Sequence, residues 1–302
     1  MFACMSLTPA QAGIISNTKD KIVQNRQVRE KNKEIKKAEK DIRKTFLKQQ
    51  ELSNKNDIDG LKDFYAENYR NSDAFPKDVT FKIIKDNYKT YPELKTDLKI
   101  KNIEIRDNYA IADVYESADM DGLERDDVQL KGRLKAFAHT IYYLKKINGK
   151  WLVTHENTIE ENNSIIFGEA QYLDLKLIAP MAIPAGEEYC STLAVNNLPR
   201  NALIMASIAK SPATYPMKED DEVYRVLEDT ELERLFTSNK NNTNEYVVSS
   251  VGITRAQPII NDNVKFYISG LAFLMTRVNV VPENNFIDLS DMTEEKNEGA
   301  ND

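Results

Sequence analysis

The chain has 302 residues, 41% hydrophobic and 29% charged, with a formal net charge of −7 and two cysteines. That length fits two domains with a core each, and the acidic balance excludes a protein whose main task is holding nucleic acid. With no run of eighteen apolar residues, the sequence has no segment that could span a membrane as a helix. The average conceals a gradient. Lys19 to Lys48 holds twelve Lys/Arg against five Asp/Glu, while the tail, residues 288–302, is acidic and predicted to be disordered.

The first residues, MFACMSLTPAQAG, set Ala10 and Ala12 around Gln11 in the A-x-A form that signal peptidase cleaves. Residues 1–12 therefore read as a residual signal-peptide segment, and the chain as exported, periplasmic or extracellular, in a bacterial envelope. Cys4 is a poor match to a lipid-modified cysteine. Cys190 reads as a small buried hydrophobe inside a strand.

From Ile22 to Leu52 there is no Gly or Pro. A basic, polar helix (residues 13–40) is predicted to feed into a packed one, since Ile35, Ala38, Ile42, Phe46 and Leu47 recur near a 3.6 period. Asp57 reads as the cap of a second helix with Leu61, Phe64, Tyr65 and Tyr69 on one face. A third follows Pro76, with Phe81, Ile84, Tyr88 and Tyr91 inward, and stops at Pro92. The period then changes to two. Leu98, Ile100, Ile103 and Ile105 precede a turn at Asp107-Asn108, and Ala110, Ala112 and Val114 line one face of the next strand. A polar loop, SADMDGLERDD, leads to a long hairpin, RLKAFAHTIYYLKKINGKWLVTHE (residues 133–156), around Asn148-Gly149, a strong hairpin signal.

Helices followed by a strand meander form an α+β pattern. DGLKDFYAENYRNSD, LKIKNIEIRDNYAIADVYES and INGKWLVTHENT resemble the NTF2-like superfamily, the SnoaL-like and ketosteroid-isomerase-like cone folds, over residues 41–160. The resemblance implies three helices on a curved antiparallel sheet with a pocket between them. Residues 161–171 then read as a linker. Residues 172–287 read as a mostly β, Ig-like sandwich, without the Cys…Trp…Cys pattern of a true immunoglobulin domain. One interruption, KEDDEVYRVLEDTELERLF, has helical spacing at Val223, Leu227, Leu232, Leu235 and Phe236.

Ketosteroid isomerases carry a catalytic Asp just after the second helix, and the resemblance places it at Asp73. Its oxyanion donors find no match, because the first helix has no Tyr between Ile35 and Leu52 and Arg133–Leu144 contains no acid. His155, on the side of Trp151 and Val153, is a second candidate base near a pocket mouth. His139 falls on the opposite face with Arg133, Lys135, Phe137, Ile141 and Tyr143, a candidate homodimer contact. Tyr65, Tyr88, Tyr91 and Tyr142 are candidate pocket-lining residues, with a core role as the alternative. No metal-ligand spacing, G-x-S-x-G motif or Gly-rich phosphate loop occurs, so no metal or cofactor is predicted. The sequence therefore reads as a non-catalytic, exported two-domain module that binds an apolar small molecule or an envelope component. Two alternatives are an isomerase, cyclase or hydratase using Asp73 or His155, and an adaptor docking its basic helix to an anionic surface.

Overall fold

The computed structural model describes residues 9–217, 223–259 and 263–283. It opens with α1 (Pro9–Ser53), a 45-residue helix about 68 Å long at 1.5 Å per residue. The helix starts well before Ile22, because Pro9 suits a first helical position and Gly13 alone does not break it. Ala10 to Ala12 of the predicted leader thus belong to α1, while residues 1–8 and the acidic tail 288–302 lie outside the described residues. Residues 25–34 are exposed, whereas Ile42 and Phe46 are fully buried. Among the described side chains of α1, those packed on the body lie in its C-terminal part.

Next come α2 (Ile58–Lys62), β1 (Tyr65–Arg70) and α3 (Lys77–Thr90). Asp57 caps α2, its carboxylate accepting from Gly60 N at 2.9 Å. The helix predicted to continue through Tyr69 stops after a single turn, and Tyr65–Arg70 is a strand. Four long strands form the meander: β2 (Lys95–Arg106), β3 (Tyr109–Arg125), β4 (Leu130–Ile147) and β5 (Lys150–Gly168). Asn148 (φ 50°) and Gly149 (φ 81°) take the left-handed conformations that a tight hairpin turn requires. The predicted polar loop after β3 is largely strand: β3 runs on to Arg125, paired with β4, through an irregularity at Gly122 (φ 77°). Its polar side chains face solvent and pair across strands, Arg133 gripping Asp119 at 2.6 and 3.0 Å.

A 3-10 turn at Glu169–Tyr172 leads to β6 (Asp174–Ile178), β7 (Ala182–Pro184), β8 (Glu188–Asn196) and β9 (Ala202–Pro212). The final strands are β10 (Arg225–Val226), β11 (Glu231–Thr237), β12 (Glu245–Pro258) and β13 (Val264–Val281). The helical spacing read at 223–236 is not borne out in the described part, which forms β10 and β11. Leu235, counted as inward, points to solvent at 64% exposure, while Arg234 on the other face donates to Ile208 O. Cys190 is likewise exposed, since Tyr189, Ser191, Leu193 and Val195 take the inward positions of β8.

The fold is mostly β, and one sheet runs through both halves in the order β10-β9-β12-β13-β5-β4-β3-β2, with a separate three-stranded sheet β11-β8-β6. The predicted linker at 161–171 is therefore corrected. Its first part is the distal end of β5, pairing with β4 on one side and β13 on the other (Asn162↔Thr276 through Gly168↔Gly270). Its Glu and Asn residues are half-buried and hydrogen-bonded across strands: Asn162 accepts from Thr276 Oγ1 at 2.7 Å, and Glu161 accepts from Tyr246 Oη at 2.9 Å. At the end of β5, Gly168 (φ 56°) turns the chain against Ser269 O, where any side chain would collide.

One core, containing Ile42, Phe46, Tyr69, Ala112, Val114, Leu144 and Val153, lies between α1 and one face of β3–β5. A second, around Leu193, Ile208, Val251 and Ala272, lies between the three-stranded sheet and β9, β12 and β13.

Beyond the shared sheet, the halves are fastened by Arg277 on β13. Its side chain is 1% exposed and grips Asp73, 9% exposed, at 2.5 and 3.2 Å. Asn244 adds bonds to Asp73 Oδ1 (2.9 Å) and Ser72 O (3.2 Å). Breaking a buried pair leaves an uncompensated charge. Arg277→Met is accordingly expected to cost about 3–5 kcal/mol in urea unfolding, with the double variant Asp73→Asn/Arg277→Met recovering much of the loss.

Candidate functional site

Along β3 and β4 the alternation is regular, so Ala110, Ala112, Val114 and Glu116 of β3 share the concave face with Thr140, Tyr142 and Leu144 of β4. β5 is not regular. Leu144 pairs with Val153 but Tyr143 pairs with His155, leaving Thr154 unmatched. A second slip, between Thr140↔Thr158 and His139↔Glu160, leaves Ile159 unmatched. Each is a single-residue bulge, and a one-residue slip moves the following side chains to the other face. After Trp151 and Val153, the inward positions are thus Glu156, Thr158 and, past the second bulge, Glu161.

His155 is consequently placed on the opposite side from the one predicted: it pairs with outward-facing Tyr143 and is exposed. Asp73 lies near the concave end, but Arg277 and Asn244 hold both of its oxygens. A carboxylate so engaged is tied into the contact between the halves. His139 accepts the predicted convex side, bonded to Asp113 at 2.7 Å and edge-on to Tyr115. Of the four tyrosines, Tyr65 and Tyr142 sit with the concave acids. Tyr88 donates to Ser53 Oγ at 2.9 Å within a small cluster under α3, and Tyr91 ends that helix.

The structure thus gathers four acids, Asp73, Glu116, Glu156 and Glu161, with Tyr65, Tyr69, Tyr142 and Tyr246. Glu116 accepts from Tyr142 Oη at 2.6 Å. Arg277 sits 3.8 Å from Glu161 and donates to Tyr246 Oη at 3.0 Å. Among the described residues, no cation pairs with Glu116 or Glu156. Tyr69, buried at 1% exposure, faces Glu156 and Thr80, and its hydroxyl favours the charged form of the Glu156 carboxyl. Tyr65, Glu116 and Glu156 are surrounded by protein yet keep partial solvent contact.

The electrostatics follow from this inventory. Burial first, then the charge of Glu116 and more weakly that of Asp73, pushes the Glu156 carboxyl from 4.5 up to about 8, against smaller opposing effects of Tyr69 and Arg277. Burial also raises Glu116, partly offset by hydrogen bonds from Tyr142 and Thr140. Tyr65, Tyr69 and Tyr142 are raised by burial and then by the neighbouring carboxylates, so all three hydroxyls keep their protons at neutral pH. Among the described residues no group of three or more His, Cys, Asp and Glu is arranged to hold a metal ion. No described helix is long and apolar enough to cross a membrane.

No known protein family and no curated protein matches the chain. Similar solved structures cover about 40% of the chain, and several are NTF2-like proteins. An NTF2-like protein of unknown function from Shewanella oneidensis is 20% identical over 40% of this chain and 98% of its own, with a TM-score of 0.30. Another from Pseudomonas putida is 18% identical over 41% and 86%, TM-score 0.31. A scytalone dehydratase-like protein from Novosphingobium aromaticivorans is 14% identical over 40% and 82%, TM-score 0.34. The match to Bd1075 of Bdellovibrio bacteriovorus spans 39% of either chain at 14% identity, TM-score 0.32.

The raised Glu156 makes a stability prediction with a definite sign. Its folded-state value lies above its unfolded one, so the folded state binds the extra proton between about pH 4.5 and 8. Its contribution therefore falls as pH rises through that window. Glu156→Gln removes the penalty. At pH 8 the variant is expected to gain about 2 kcal/mol, well under the full shift because the carboxyl keeps some solvent contact, and to gain nothing at pH 4. Chemical denaturation at the two pH values checks this.

Proposed function

We propose that the protein is a non-catalytic ligand-binding module. In this reading the N-terminal half is an NTF2-like cone whose recess takes a small molecule. The C-terminal half is an Ig-like β-sandwich that walls one side of it through Arg277 and Tyr246. The observation that carries the reading is the pair of partly buried acids, Glu116 and Glu156, held with no paired cation among the described residues beside the Tyr65, Tyr69 and Tyr142 hydroxyls. Partly buried carboxyls raised by their surroundings are candidate binding-site groups.

A second reading, proton-transfer catalysis of the isomerase or hydratase kind, is favoured by Glu156 alone. A carboxyl poised near neutral pH beside Tyr hydroxyl donors has the parts of a general acid and an oxyanion site. It differs from the base predicted at Asp73, which is tied to Arg277. The two readings part on a simple measurement. Ligand-observed NMR with a library of small aromatic and polar fragments is expected to give hits competing for one site in the full chain. Tyr69→Trp, which fills the recess, is expected to lose them. Absence of any recess-dependent hit contradicts binding, whereas conversion of a hit that Glu156→Gln abolishes replaces the module with an enzyme.

Export and an envelope location rest on Ala10-Gln11-Ala12, and the exposed basic stretch of residues 25–34 supports contact with an anionic envelope surface. The convex face around His139 exposes Tyr109, Ile111 and Tyr143 and supports a homodimer contact.

A further inference from the structure

We infer that the free edge of β13 from Val264 to Ile268 pairs with the same edge of a second copy of this chain, antiparallel and centred on Phe266. This surface is separate from the convex face around His139 and does not depend on what the N-terminal half binds.

On one side β13 has β12 beside it from Val264 to Val278. On the other, β5 accompanies it only from Gly270 to Thr276. There β5 ends, because Gly168 turns against Ser269 O and the chain passes into the 3-10 turn at Glu169–Tyr172. The pairing of β9 with β12 likewise reaches only to Ala202, opposite Arg255. Beyond those limits β12 and β13 run on as a two-stranded arm. Every described residue of that arm, Ala256 to Ile259 and Asn263 to Ile268, is exposed. A two-stranded ribbon is marginal in water on its own, and an unpaired apolar edge is a template for a further strand.

The order of residues along the edge selects the partner and the register. One face carries Val264, Phe266 and Ile268, which are 50%, 69% and 41% exposed, and the other carries Lys265 and Tyr267. About a two-fold axis on Phe266, residues equally far from it on either side meet. Phe266 then meets the partner's Phe266, and Val264 meets the partner's Ile268. On the other face, Lys265 meets the partner's Tyr267. Apolar groups close on apolar groups, and an ammonium lies across a tyrosine ring. The neighbouring registers fail. An axis on Lys265 sets two ammonium groups against each other. An axis on Tyr267 needs Ser269, whose carbonyl is already covered by Gly168 and whose hydroxyl is bonded to Glu169. Five residues from each copy make a contact well short of the roughly 1,600 Å² of a standard interface, so the dimer forms at micromolar concentration.

Sedimentation equilibrium of the full chain from about 1 to 200 μM is expected to show reversible passage from monomer to dimer. Phe266→Lys, an exposed substitution whose thermal melt verifies folding, should weaken the dimer at least about tenfold. Tyr143→Lys on the convex face should leave it unchanged. Cross-linking reads the register in a chain carrying Cys4→Ser and Cys190→Ser. Directly opposed residues have Cα atoms about 4.5–5.5 Å apart, within reach of a disulfide. Oxidised glutathione should therefore link Phe266→Cys to its own copy. Val264→Cys, about 13 Å from its own copy in this register, should link only when mixed with Ile268→Cys. A chain that stays monomeric across the range overturns the inference. So does a dimer that Tyr143→Lys dissolves and Phe266→Lys leaves, or Val264→Cys linking to itself as fast as Phe266→Cys.

Discussion

One buried cation serves four acids, and much of the structure depends on that imbalance. Arg277 reaches from β13 into the end of the N-terminal half, where Asp73, Glu116, Glu156 and Glu161 surround the concave face. A guanidinium can satisfy only the carboxylates within its fork. It takes Asp73 closely and Glu161 more loosely, and Tyr246 fills the remaining corner. Burial works against the Arg277 charge, and Asp73, Tyr246 and Glu161 more than offset it. Glu116 and Glu156 are left to be stabilised by hydroxyls or by protons. The same residue therefore fastens the two halves together and leaves two acids beside it without a paired cation.

The recess owes its contents to irregular pairing. Had β5 kept strict alternation after Trp151 and Val153, His155 and Asn157 would face inward and Glu156 would be in solvent. The bulges at Thr154 and Ile159 reverse this for four residues and then restore the original phase, bringing Glu161 and Asn163 back inward. Bulges cluster where a sheet must re-aim a side chain. The polar sequence from Glu160 to Ser164, which reads as a linker by composition, is the buried edge along which β5 receives β13.

Much of the N-terminal architecture was legible in the sequence. The Asn148-Gly149 turn, the alternation of Ala110, Ala112 and Val114, and the apolar stripe ending at Phe46 each follow a local rule, and all three agree with the structure. The misreadings share a cause, which is non-local pairing. Tyr65 and Tyr69 look helical because β1 is irregular: five steps along it, Tyr65 to Arg70, match only two on β5. Leu232, Leu235 and Phe236 mimic a helix stripe because Arg234 occupies an inward strand position. The site was legible in part. Tyr65 and Tyr142 were found from their apolar settings, whereas Glu116 and Glu156 were missed, since a Glu in a strand of mixed polarity carries no local signal of burial.

The central claim is that burial, with the charge of Glu116 beside it, keeps Glu156 protonated at neutral pH. Carbon-13 NMR of the side-chain carboxyls, with Glu156 assigned by its loss in Glu156→Gln, measures it directly. The account predicts a Glu156 midpoint near 8, well above the ordinary 4.5. A midpoint at the ordinary value would mean that the recess supplies a cation or enough water to hold the charge, and would contradict the account.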